Sequence, residues 1–273
     1  EKAKSVGSYL LNGLDVDVAK EEEAIKKRIE GGDTEIEDNV SVEIRGLIKS
    51  FGKFHAVRGN WFRIETDKCF ALLGPNGAGK STTINLLTGV LPVTAGDAVC
   101  NGFSVIDEMT NIRKQIGVCP QFSMIWDDLT GHEHLRIFAG LKGVPTALCS
   151  EEADVLMAKT RLTSSQNVRA GMYSGGMQRR LALGTALIGD PKIIYLDEPT
   201  TGMDPITRRA VWDIILAQKQ GKAIILTTHS MEEADVLADN ISIIAKGRLR
   251  CLGTGLHLKA KYGAGYQVAV GTS

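Results

Sequence analysis

The chain has 273 residues, 43% of them hydrophobic, which suits one domain with an added subdomain or arm and excludes a disordered polymer. Lys plus Arg equals Asp plus Glu at 32 each, so the formal net charge is zero. Proteins that bind nucleic acid show a basic surplus, and none exists here.

From the N-terminus, residues 15 to about 30 read as an exposed helix. Glu22 with Lys26 and Glu23 with Lys27 form two i,i+4 pairs in the favourable orientation. Gly31, Gly32 and Asp33 end it, and residues 33–39 read as an acidic, solvated connector. Next, Val42, Ile44 and Leu47 alternate as in a half-buried strand, and residues 61–64 look like a second one. The apolar run 69–73 reads as a buried strand feeding a loop. Residues 78–88 follow as a helix stopped by Gly89. The stretch from about 120 to 185 is mainly helical. Residues 192–196, 223–227 and 241–245 are continuous apolar runs separated by helical stretches, the mark of a parallel sheet buried on both faces.

Five scattered cysteines, Cys69, Cys100, Cys119, Cys149 and Cys251, contain no Cys-x-x-Cys pair. Neither a zinc site nor a disulfide framework is expected, and the thiols read as buried, reduced and intracellular. No apolar run approaches the roughly 20 residues that span a bilayer, and no signal peptide is evident. A start at Glu1 rather than Met leads to the expectation of a longer native chain.

Three motifs carry chemistry. Gly74-Pro75-Asn76-Gly77-Ala78-Gly79-Lys80-Ser81 fits G-x-x-x-x-G-K-[ST] between a strand and a helix. Its glycines let successive backbone N–H groups converge on a β-phosphate, and the helix N-terminus adds positive potential. Lys80 would reach the β- and γ-phosphates, and the Ser81 hydroxyl would ligate Mg²⁺. Residues 193–196 then deliver Asp197 and Glu198 to the sheet edge where ligands bind. Asp197 suits a metal and Glu198 suits a general base; the plain alternative is a strand-terminal helix cap. No Asn-Lys-x-Asp guanine-reading motif accompanies them. Finally, Tyr173-Ser174-Gly175-Gly176-Met177 precedes an amphipathic stretch, with Ser174 as a good N-cap. This makes a second phosphate-binding helix end. One monomer has little use for two; a pair facing head to tail uses both.

In the order of these motifs, over roughly residues 42 to 260, the sequence resembles the nucleotide-binding domain of ABC transporters. The resemblance implies an α/β fold with a RecA-like P-loop NTPase core and mainly parallel sheet, an N-terminal antiparallel β-subdomain and an inserted helical subdomain at about 120–185. Residues 1–39 become an arm and 261–273 an extension. Phe51 falls where the family places an aromatic that stacks on adenine, and Thr82 completes the ATP contacts of the phosphate loop. Gln121 matches the glutamine loop, Thr201-Gly202-Met203-Asp204 the loop that crosses the dimer interface, and His229 the switch histidine at the γ-phosphate. Glu198, His229 and Gln121 are thus the implied catalytic residues, with Mg²⁺ held by Ser81, Gln121 and Asp197. Taken singly, Phe51 could be core, Gln121 a loop amide and His229 a satisfied strand-end histidine.

The wording of Gly117-Val118-Cys119-Pro120-Gln121, of residues 197–205 and 228–235, and of Tyr262-Gly263-Ala264-Gly265-Tyr266 is similar to the A subfamily. That implies ATP hydrolysis coupled to transport, often of lipid. It also implies a second nucleotide-binding domain, transmembrane domains outside this chain, and a place on the cytoplasmic face of a membrane. Tyr173 and Met177 depart from the family's commoner Leu and Gln, and Met177 cannot close a capping box with Ser174. Two rival readings are a soluble ABC-type ATPase of DNA repair or translation and a regulatory half-site with little turnover.

Overall fold

The computed structural model describes residues 10, 11, 14–122 and 124–263. Ala264, Gly265 and Tyr266, which carried part of the resemblance, lie outside them. Two short strands, β1 (Leu10–Leu11) and β2 (Leu14–Asp15), precede helix α1 (Val16–Glu30). Next come β3 (Val40–Phe51), β4 (Phe54–Glu65), β5 (Cys69–Leu73) and α2 (Lys80–Leu87). The chain continues through β6 (Ala95–Cys100), β7 (Phe103–Ser104), α3 (Met109–Gln115) and β8 (Ile116–Cys119). Helices α4 (Gly131–Leu141), α5 (Cys149–Lys159) and α6 (Gly175–Leu187) pack on one another. They lead into β9 (Ile193–Asp197), α7 (Pro205–Leu216), β10 (Ala223–Thr228), α8 (Met231–Leu237), β11 (Asn240–Ala245), β12 (Arg248–Gly253) and α9 (Gly255–Tyr262).

The central sheet runs β12-β11-β5-β10-β9-β8, parallel throughout except for β12 at its edge. Side chains alternate strictly between its faces, as a two-residue period demands. Cys69, Ala71, Ile194, Leu196, Ile224 and Leu226 enter the core beneath the helices. Their neighbours Phe70, Leu72, Ile193, Tyr195, Ala223 and Ile225 enter a second core beneath α2 and the antiparallel sheet. Burying the Leu, Ile and Phe side chains among them contributes about 1.5–3 kcal/mol each, which explains why these strands read as unbroken apolar runs.

The antiparallel sheet, order β4-β3-β6-β7, is less local than the sequence implies. Its N-terminal hairpin is completed by β6 and β7, which arrive after the phosphate loop and lack the alternation that marks β3. Strand β8 was also hidden, because Gly117 sits in its middle. A Cβ there would collide with the Ala186 carbonyl at the end of α6, so the close approach of helix to strand requires glycine.

Helix α1 corrects the expectation of an exposed, solvated segment. Both predicted ion pairs form, Lys26–Glu22 at 2.5 Å and Lys27–Glu23 at 2.7 Å. The opposite face, however, buries Val18 and Ile25 against the body and contacts β4 and β12. Arg63 donates to Glu21 at 2.9 Å, Arg28 reaches the fully buried Glu43 at 2.5 Å, and His257 of α9 meets Asp17 at 2.8 Å. Only two fully apolar anchors sit on that face, too few to show as a stripe. All five cysteines are unbonded and four are buried. Burial pushes the Cys100 thiol up to about 12. No helix among the described residues is long and apolar enough to cross a membrane.

Candidate functional site

Parallel register builds the site. Leu72 pairs with Thr227, and Thr227 pairs with Asp197, so one row crosses β5, β10 and β9 just before each strand ends. Cys119 of β8 pairs with Leu196 in the adjoining row. The segments leaving these strands, 74–81, 120–121, 198–204 and 229–230, therefore emerge together at the C-terminal edge of the sheet, where open α/β folds bind ligands.

The phosphate loop is a cradle made by glycine geometry. Gly77 and Gly79 lie at φ 75° and 105°, in the left-handed region that disfavours side chains. A Cβ at Gly79 would come within 2.5 Å of the Ala56 carbonyl oxygen. Gly79 caps α2 without any side-chain hydrogen bond, leaving the first N–H groups of the helix unclaimed by side chains. Asn76, Gly77, Ala78, Gly79, Lys80, Ser81, Thr82, Gln121 and Glu198 line a cavity of about 280 Å³. Lys80 is 4% exposed and donates to the carbonyls of Gly74 at 2.8 Å and Pro75 at 3.2 Å.

Glu198 is the convergence point. Its carboxylate accepts from Gln121 Nε2 at 3.2 Å and from Thr201 Oγ1 at 3.2 Å. Lys80 Nζ and His229 Nδ1 each stand 3.6 Å from it. The residue is 8% exposed and sits at φ 46°, a left-handed conformation that costs a non-glycine residue about 1–3 kcal/mol. Its own N–H donates to Thr227 Oγ1 at 3.0 Å and to the Thr227 carbonyl at 3.1 Å, which holds the strained turn in place. Next to it, Asp197 accepts from Ser81 Oγ at 2.9 Å and from Thr227 Oγ1. Ser81 and Asp197 are adjacent hard oxygen donors of the kind that suits Mg²⁺, and Gln121, whose amide also carries such an oxygen, lines the same cavity as Ser81. No cluster of three His, Cys, Asp or Glu able to cage an ion exists among the described residues.

Other sequence-predicted residues do not line this cavity, although His229 meets Glu198 at its rim. Phe51 is 47% exposed at the tip of the β3–β4 hairpin, with Lys49 Nζ 5.1 Å from its ring centroid. It is a surface ring and not core. His229 is half exposed, open on one side. Ser174 caps α6 by accepting from the Met177 N–H at 3.3 Å, and both Ser174 and Gly175 face solvent. A Cβ at Gly175 would meet open space, whereas one at Gly176 would collide with Thr207 of α7. Tyr173 is buried and donates from its hydroxyl to the Ser165 carbonyl at 2.7 Å; burial raises its phenol. Met177 packs against the helical core. None of Tyr173, Ser174, Gly175, Gly176 and Met177 lines the phosphate cavity. In the 201–204 loop, Gly202 lies at φ 79°, Met203 is partly buried, and Asp204 accepts from the N–H groups of Ile206 and Thr207 as the cap of α7.

Two residues went unrecognised in the sequence. Thr227 braces Asp197 and Glu198 from the neighbouring strand. Arg179, 6% exposed in α6, donates to the carbonyls of Asp197, Glu198 and Pro199, along the backbone of the acidic pair and just past it. An arginine within a buried helical stripe was the available signal, since charged residues are rarely buried without partners.

A family model described as ABC transporter matches residues 57–201. The chain is 53% identical over 268 residues to ABC transporter A family member 2 of Arabidopsis thaliana, covering 92% of this chain and 27% of that protein. It is 42% identical over 262 residues to the phospholipid-transporting ATPase ABCA3 of Mus musculus, covering 93% of this chain and 15% of that protein. The chain thus spans about a quarter or less of these relatives. An ATP-binding cassette solved as a dimer in a post-hydrolysis state with ADP and Pi shares the fold, with a TM-score of 0.71 at 23% identity. That match covers 78% of this chain and 98% of the cassette.

Proposed function

Because this chain belongs to the ABC transporter family, we propose that it is an ATP-binding and ATP-hydrolysing domain whose turnover drives transport by an A-type transporter. The observation that carries the reading is the meeting of Lys80, Gln121, Thr201 and His229 on the Glu198 carboxylate at the rim of the glycine cradle.

ATP enters with its β- and γ-phosphates in the cradle, held by the backbone N–H groups of the loop and by Lys80. The loop's glycines and the uncapped start of α2 supply donors fixed in advance, so charge developing on the phosphate meets a preorganised field. Glu198 takes a proton from the attacking water, and Gln121 and His229 orient that water and the γ-phosphate. Phe51 offers its face to the adenine. Ser81, Asp197 and Gln121 would hold Mg²⁺, which when bound neutralises phosphate charge. Residues 40–260 make up this unit, with 120–185 as its helical part, 1–39 as an arm whose helix α1 is docked, and 261–273 as an extension.

The exposed Ser174–Gly175 end supports a head-to-tail dimer. Each domain lends Ser174, Gly175 and Gly176 to its partner's nucleotide, and Thr201, Gly202, Met203 and Asp204 lie along the seam. Transmembrane segments outside this chain receive the motion at the cytoplasmic face of a membrane. Similarity to a phospholipid-transporting ATPase favours lipid as cargo. Met177 does not argue for an inert half-site, because its N–H still supports Ser174 and its side chain is absorbed by the core.

In the full-length protein, Glu198→Gln should keep ATP affinity within about twofold while hydrolysis falls about 10²–10⁴-fold, the usual worth of a general base. Unchanged turnover in that variant would remove Glu198 from the role.

A further inference from the structure

Arg179 lies on α6 little more than one turn past Ser174, almost wholly buried. Its Nε donates to the Pro199 carbonyl at 2.8 Å. Nη2 donates to the carbonyls of Asp197 at 2.8 Å and Glu198 at 3.2 Å. Nη1 donates to the carbonyls of Pro120 and, at 3.2 Å, Gln121. Among the described residues no carboxylate pairs with it. A guanidinium is a planar fork of five donors. Here the fork is spent on backbone alone, and on the two segments that carry Gln121 and Glu198.

That choice of partners has a consequence for the base. Glu198 occupies a strained left-handed conformation at φ 46°. Its N–H is fixed by Thr227 and its carbonyl by Arg179, so the peptides on either side are pinned. The same fork holds the backbone of Gln121, whose side chain touches the Glu198 carboxylate at 3.2 Å.

We propose that Arg179 is a positioning residue for ATP hydrolysis. It sets the geometry of Glu198 and Gln121 from the helix that presents Ser174, and it touches neither nucleotide nor water. The inference rests on the reading of Glu198 as general base. A displaced base loses rate steeply, since a misplacement near 1 Å can cost about 10²-fold. Binding of ATP, which depends on the cradle, is left intact.

The test is a double-mutant cycle in the full-length transporter. Arg179→Lys keeps the charge but replaces the planar fork with an ammonium that cannot reach all five carbonyls. Expected is a fall in kcat of about 10–100-fold with KM and ATP affinity within about twofold. On the Glu198→Gln background the same change should lower single-turnover hydrolysis less than about twofold, because a base already removed cannot be mispositioned. Wild-type kcat in Arg179→Lys, a matching rise in KM, or an equal loss on both backgrounds would overturn the proposal. Should Arg179→Lys fail to accumulate, Arg179→Gln takes its place with the same two outcomes. Normal turnover in Glu198→Gln alone counts against the base; a crippled Glu198→Gln beside a normal Arg179→Lys counts against Arg179.

Discussion

The two helices proposed to offer their N-termini to phosphate are built in opposite ways. Helix α2 starts from Gly79, which gives it no side-chain cap, and a nearly buried Lys80 folds back over the loop. Helix α6 starts from Ser174, whose hydroxyl is already engaged with the Met177 N–H, and Ser174 and Gly175 face solvent with no lysine in the first turn. The first end brings its own cation and stands in contact with Gln121 and Glu198 across one cavity. The second has dipole, hydroxyl and an open glycine, and little else. A helix end of that kind gains its phosphate only when another molecule delivers it. On the proposed reading, one end is a site and the other a contribution to a partner's.

The sharpest break between the two is charge. Lys80→Met should lower turnover by about 10²–10³-fold, the usual cost of deleting one preorganised donor at developing charge. It should also weaken ATP binding by the isolated chain, measured by nucleotide titration. If Lys80→Met bound ATP normally in that assay, the first end would no longer be distinguished by its cation.

The second end is tested by crowding rather than by charge. Gly175→Val places its side chain in open space, so the chain should fold with an unchanged melting midpoint and bind ATP within about twofold. Steady-state ATPase of the full-length protein should nonetheless fall, by about 10–100-fold, because the partner's phosphate can no longer approach the backbone closely. Gly176→Ala is the control. Its Cβ would strike Thr207, so it should cost about 1–3 kcal/mol of stability in an unfolding titration of the isolated chain. Loss of ATP binding by isolated Gly175→Val would show that α6 serves its own domain's site.

Legibility in the sequence followed the distance over which each feature is built. The phosphate loop was readable because eight consecutive residues create it and the strand before it is an unbroken apolar run. Asp197 and Glu198 were readable for the same reason. Residues 120–121 and 229 needed the resemblance, since their placement depends on register between strands far apart in the chain. Arg179 reaches carbonyls 18 to 59 residues away, and no local pattern encodes that. Strand β8 was masked by Gly117, chosen for a close helix contact and not for strand propensity. Docking of α1 was hidden because charged pairs, Arg63 with Glu21 and Arg28 with Glu43, do what an apolar stripe does elsewhere.

The smallest expected effect again separates the two ends, this time by pH. Helix α4, which packs against α6, contains His134 at 0% exposure. Its Nε2 accepts the Trp126 N–H at 2.9 Å, and the ring lies against Trp126 and Phe138. Burial lowers its pKa from the ordinary 6.5, so the folded protein resists a proton that the unfolded chain accepts. Stability from this site is therefore complete above pH 6.5 and declines as pH falls below it. His134→Gln keeps a side-chain acceptor near Trp126 without titrating, so its melting midpoint should fall less than wild type's between about pH 7 and pH 5.5. Hydrogen exchange should show the acid loss first in α4 and α6 while α2 stays protected. Equal loss at both helices would mean that the α6 end has no stability of its own to lose, and that the two phosphate-facing ends unfold as one unit.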